Sequence, residues 1–114
     1  PFKYSKEDTI FNISHSSLLT AAFMSENWEM LKYASNDQVH QKYRMKQMPE
    51  LFEVQKTALK EGALMSTLSG SGSTLFSMAY TDDSRNLEKA LKNKFPHFRV
   101  FVVDFDNTGV KIEL

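Results

Sequence analysis

The chain has 114 residues, enough for one hydrophobic core and too few for two. Its 14 basic and 14 acidic side chains cancel, which argues against a nucleic-acid or anionic-membrane partner, and the lack of cysteine excludes disulfides, thiolate metal sites and a cysteine nucleophile. Apolar residues make up 41% and run through the whole length, the mark of a folded globular chain rather than a disordered one. No stretch approaches the roughly 20 apolar residues of a membrane-spanning helix. The first residues lack the basic-then-apolar order of a secretion signal, so a cytoplasmic protein is expected. The chain starts with Pro1 rather than methionine, and a piece of a longer protein is expected on that ground.

In chain order, Asp8 to Met24 places Ile10, Ile13, Leu18, Ala21 and Ala22 at helical spacing, with Asp8 as candidate N-cap. Ser25-Glu-Asn-Trp reads as a break, after which Trp28, Leu31 and Ala34 carry a second helix inward. Asn36 to Met48 is polar, gathers His40, Tyr43, Arg44 and Lys46, and has no apolar stripe, so it reads as a partly exposed connection or a short helix. Pro49 at a first-turn position opens a helix through Leu51, Phe52, Val54, Ala58 and Leu59, and Gly62 closes it.

Beyond Gly62 the period changes to two. Ala63–Leu68 and Thr74–Tyr80 read as strands, Asp82–Lys94 as a helix, Phe98–Phe105 as the strongest strand, Asn107–Gly109 as a turn and Val110–Leu114 as a last strand. The implied architecture is α+β, with helices on one face of a mainly antiparallel sheet, in one domain over residues 1–114.

Between the first two strands lies LSGSGST, Leu68 to Thr74. Its two glycines permit positive φ and leave room where a Cβ would stand, while Ser69, Ser71 and Ser73 add donors without bulk. Successive N–H groups in such a turn can form a concave nest for phosphate; a plain hairpin connection is the other reading. No lysine follows Gly72 as a Walker loop requires, and the third glycine of the dinucleotide fingerprint is missing.

The stretch LSGSGSTLF, after a helix ending in ALKEGAL, resembles the third motif of the GHMP small-molecule kinases, whose C-terminal domain has a ferredoxin-like sheet. Upstream, DTIFNISHSSLLTAAF resembles the D-x-V-F-N-L-S helix of the branch that phosphorylates homoserine. NWEMLKYASNDQVHQKYR likewise resembles that branch's D-W-E-L-L and D-x-x-H-x-x-Y-R stretch, and nearly the whole chain is covered in order.

The resemblance implies the C-terminal domain of an enzyme that transfers phosphate from ATP to the hydroxyl of L-homoserine, toward threonine. It implies that Arg44 binds the homoserine carboxylate, with His40 beside it, and that Ser69, Gly70, Ser71, Gly72 and Ser73 border the phosphates. The ATP-binding loop P-x-S-x-G-L-G-S-S-A is missing from this sequence. ATP and magnesium are therefore expected to bind mainly in an N-terminal domain outside the chain, with no catalytic residue and no metal ligand in this part and no activity alone. That missing domain is the expected partner, leaving an apolar face where it docks, and a homodimer is open. The arginine common in relatives is replaced by His15, so His15 and Asn12 read as polar packing at a helix junction. The alternative is a non-enzymatic ferredoxin-like module that binds an amino acid or an anion.

Overall fold

The computed structural model describes residues 3–113. Its elements are α1 (Lys6–Met24), a 3-10 turn (Trp28–Met30), α2 (Leu31–Ala34), α3 (Gln41–Met45), α4 (Glu50–Lys60), β1 (Met65–Leu68), β2 (Leu75–Met78) and α5 (Thr81–Lys94). The fold is α+β, with helices packed against an antiparallel pair of strands.

Helix α1 begins two residues before the expected start. Ser5, not Asp8, is its N-cap: the Ser5 hydroxyl accepts the Asp8 N–H at 2.9 Å. Asp8 instead sits with Glu7 in the first turn, where negative charge meets the positive end of the helix. Leu31, fully buried, packs with Ala22, Leu64 and Met65 and thereby fastens α1 and α2 to β1.

Helix α4 ends as its glycine foretells. Gly62 adopts φ 101°, a conformation that costs a residue with a Cβ, and Ala63 N–H reaches back to the Ala58 carbonyl at 2.9 Å. Ala58 and Ala63 then join Leu87, Leu91 and Phe95 of the α5 side in one apolar cluster. Burial of each such leucine contributes about 1.5–3 kcal/mol.

Strands β1 and β2 pair antiparallel, Met65 opposite Met78 and Leu68 opposite Leu75. Ser69 N–H extends the pairing to the Thr74 carbonyl at 2.8 Å, so only Gly70 to Ser73 lie outside the ladder.

Phe98–Phe105, expected as the strongest strand, joins no ladder among the described residues. It keeps a strand's side-chain alternation: Phe98, Val100 and Val102 are half-buried while Arg99, Phe101 and Val103 are exposed. Alternation satisfies the apolar side chains, but a strand also requires a neighbouring backbone for its N–H and C=O groups, and none is in register here. Val110–Glu113 is likewise outside the sheet, and Leu114 lies outside the described residues. Asn107–Gly109 does turn, with Gly109 at φ 69° and Asp106 accepting Thr108 N–H at 2.8 Å; Asp104 and Asp106 are exposed. The methionines divide: Met45 and Met65 are core, whereas Met24 and Met48 are exposed.

Candidate functional site

Helix α3 is only five residues long, shorter than a helix that is stable on propensity alone. It is held by side chains at three points. Met45 is 1% exposed and anchors its C-terminal end against Leu51 and Leu68. The Gln41 Oε1 accepts Leu68 N–H at 2.9 Å, and Gln55 of α4, which donates to the Ser66 carbonyl at 2.6 Å, lies beside it. At its head stands Asp37.

The Asp37 carboxylate accepts Asn12 Nδ2 at 2.5 Å and Val39 N–H at 3.2 Å on one oxygen. Its other oxygen accepts His40 N–H at 2.8 Å and the Gln41 N–H. Asn12 completes the joint by accepting Gln38 N–H at 2.7 Å. Burial pushes the Asp37 pKa up, yet the hydrogen bonds from Asn12, Gln41, His40 and Val39 outweigh it and leave the carboxyl below its ordinary value.

From this helix two side chains cross to the glycine loop. His40, at the N-cap position, donates from Nε2 to the Gly70 carbonyl at 2.9 Å. A carbonyl can only accept, so Nε2 carries the proton. Arg44, one turn on, donates from Nε to the Ser71 carbonyl at 2.6 Å. Its terminal Nη groups have no protein acceptor among the described residues. That leaves the two-pronged end of the guanidinium open for a planar anion. His40 therefore meets the loop rather than Arg44.

The loop itself needs only one of its glycines for conformation: Gly70 has φ 63°, whereas Gly72 has no positive φ. A Cβ at either glycine would meet no atom within 4 Å, and Ser69 to Ser73 are exposed. Among the described residues the N–H groups of Gly70, Ser71, Gly72 and Ser73 find no protein acceptor. Four unsatisfied donors on one turn are the raw material of an anion nest.

A cavity of about 600 Å³ is walled by Leu51, Phe76, Leu87, Phe98 and Phe105 and reached by Ser69 and Ser73. His40 and Arg44 do not line it. It is the apolar space between the hairpin and the unpaired Phe98–Phe105 segment, not the polar site. A smaller polar depression of about 90 Å³ adjoins Asp37 and Gln41.

Of the residues the sequence points to, the fold brings His40 to Gly70 and Arg44 to Ser71, across 30 and 27 residues of chain. The sequence assigns nothing to Asp37, Gln41 or Gln55. An aspartate a few residues ahead of a short polar helix was the available signal for the first. Asn12 is at a helix junction, as expected. His15 stays on its own helix, donating from Nδ1 to the Phe11 carbonyl at 2.9 Å and stacking on the Phe11 ring. Among the described residues no three His, Asp or Glu side chains converge as a cation site.

Residues 15–97 match the model of a protein family described as GHMP kinases C terminal. A homoserine kinase from Wolinella succinogenes is 59% identical over 110 residues, covering 96% of this chain and 38% of that protein. Homoserine kinases from Sulfurovum sp. and Nitratiruptor sp. are each 56% identical, over 96% and 99% of this chain and 38% and 39% of their own. The crystal structure of a homoserine kinase from Cytophaga hutchinsonii superposes with a TM-score of 0.78 at 21% identity, over 85% of this chain and 31% of that one, which speaks for the fold alone. The chain thus spans about two fifths of the length of the curated relatives it matches.

Proposed function

Because the chain belongs to the GHMP kinase family through that family's C-terminal part, we propose that the protein it forms part of is a homoserine kinase. The reaction transfers the γ-phosphoryl group of ATP to the side-chain hydroxyl of L-homoserine, giving O-phospho-L-homoserine for threonine synthesis.

One observation carries the role of this part: His40 and Arg44 both reach the backbone of the glycine loop, so a substrate-holding cation and a phosphate-facing turn form one surface. With Nε spent on Ser71, the Arg44 Nη groups are set to grip the homoserine carboxylate in two parallel bonds. The free N–H groups of Gly70 to Ser73 face phosphate. His40 holds the Gly70 carbonyl away from that phosphate, where a carbonyl oxygen would repel it.

Such a site works by positioning and by balancing charge, with no bond made to the protein. The remaining three fifths of a protein of the relatives' length form the ATP-binding N-terminal part, dock on this domain and hold most of Mg·ATP. Among the described residues no three His, Asp or Glu side chains converge, which supports placing Mg·ATP mainly on that other part. The 114-residue chain alone is inactive, and the whole enzyme works in the cytoplasm, where ATP and the free amino acid meet.

The test is an assay of the full-length protein for ATP-dependent phosphorylation of homoserine beside other hydroxyl substrates. Homoserine should be the preferred acceptor. Preference for another alcohol would overturn the substrate, and ligand binding without phosphoryl transfer would favour a regulatory module.

A further inference from the structure

We propose that Asp37, braced by Asn12, is the positioning residue that sets His40 and Arg44 against the glycine loop. The inference rests on the homoserine-kinase reading for its kinetic consequence, though not for its geometry.

Five hydrogen bonds close the joint. Four end on the Asp37 carboxylate, from Asn12 and from the N–H groups of Val39, His40 and Gln41, and the fifth runs from Gln38 N–H to Asn12. The three N–H groups on Asp37 belong to the turn that begins α3, and a five-residue helix has no spare hydrogen bonds of its own with which to fix its direction. Asn12 projects from the middle of the 19-residue helix α1, so the brace ties α3 to a long, rigid element.

Direction matters because of what leaves α3. His40 is itself one of the residues whose N–H Asp37 holds, and Arg44 follows one helical turn later. A tilt of the helix head moves the Arg44 guanidinium, at the end of a long side chain, by more than it moves the backbone. The Ser71 carbonyl bond and the aim of the Nη groups are lost together. The Asp37 carboxylate makes no hydrogen bond to the loop or to the Arg44 side chain, so it acts through α3.

The experiment uses the full-length enzyme, with Asp37→Ala, Asp37→Asn and Asn12→Ala. Asp37→Ala should raise the KM for homoserine by about tenfold or more while kcat and the KM for ATP stay within about threefold. Asp37→Asn keeps an acceptor and should fall between it and wild type. Asn12→Ala should follow in the same direction, more weakly. An activity-independent reading is the Arg44 Nε–H resonance, which in wild type should exchange slowly with water because it is bonded to Ser71, and in Asp37→Ala should move to the solvent-averaged position. If Asp37→Ala does not fold, Asn12→Ala carries both readings. An Arg44 resonance unmoved by the folded variant overturns the proposal, as does an unchanged homoserine KM. If wild type does not phosphorylate homoserine at all, the substrate reading fails separately, and the resonance alone decides the positioning role.

Discussion

Two regions of the chain look alike in one respect, since neither α3 nor the Phe98–Phe105 segment belongs to a long regular element, and they differ in how they are held. Helix α3 is polar and short, yet Asp37, Gln41 and buried Met45 fix it at head, side and foot. Phe98–Phe105 is rich in apolar side chains, but Phe101, Val103 and Phe105 are 62–71% exposed and its backbone joins no ladder. Directed hydrogen bonds from side chains can order a segment within one small domain. Apolar content cannot do so without a surface to cover it and a strand beside it.

Breaking the ordered region should cost most where its foot is buried. Met45→Ala removes the side chain between α3, Leu51 and Leu68 and should lower stability by about 2–5 kcal/mol, read from denaturant unfolding of the 114-residue chain. An effect under 1 kcal/mol would mean that α3 is not anchored there.

Next is the loop that α3 faces. Gly70→Val forces a branched residue into a left-handed conformation, φ 63°, at a cost of about 1–2 kcal/mol, although a Cβ there meets nothing within 4 Å. Gly72→Ala, at a position without positive φ, should cost less. Equal losses at the two glycines would contradict the assignment of strain to Gly70.

The Asp37 joint adds a pH dependence. A carboxyl whose folded pKa lies below its ordinary value contributes stability that is fully present above the unfolded pKa of about 3.9 and disappears as pH falls through the lower folded value. Acid titration should therefore show the α3 head loosening only below about pH 4, and Asp37→Asn should remove that part of the acid response. Loosening near neutral pH would contradict it.

The smallest effect is expected in the exposed segment. Val110→Thr, at a residue 94% exposed, and Val103→Thr, at one 68% exposed, should each change the stability of the 114-residue chain by no more than about 0.5 kcal/mol. A larger loss would show that the segment is paired in solution.

The same contrast explains what the sequence made legible. Helices α4 and α5 announced themselves by period, and Pro49 and Gly62 marked the limits of α4, because those signals are local. The start of α1 was displaced because Ser5 and Asp8 are both good caps three residues apart, and only the geometry shows the Ser5 hydroxyl taking the Asp8 N–H. Phe98–Phe105 reads as a strand from its own alternation, whereas the ladder depends on a partner far away in sequence. At the site, the motif marked Arg44 and the glycine loop, and the resemblance to kinases supplied their roles. Asp37 and Gln41 stayed silent because their meaning lies in contacts with Asn12 and Leu68, 25 and 27 residues away.

The central claim is that Arg44, held on the Ser71 carbonyl, presents its remaining guanidinium donors to the carboxylate of homoserine. The most direct measurement is the homoserine KM of full-length Arg44→Ala against wild type, with the KM for ATP as the internal reference. Loss of a charge-assisted pair worth about 1.5–3 kcal/mol predicts a rise of about ten- to a hundredfold for homoserine and little change for ATP. An unchanged homoserine KM, or an equal rise for both substrates, would contradict it.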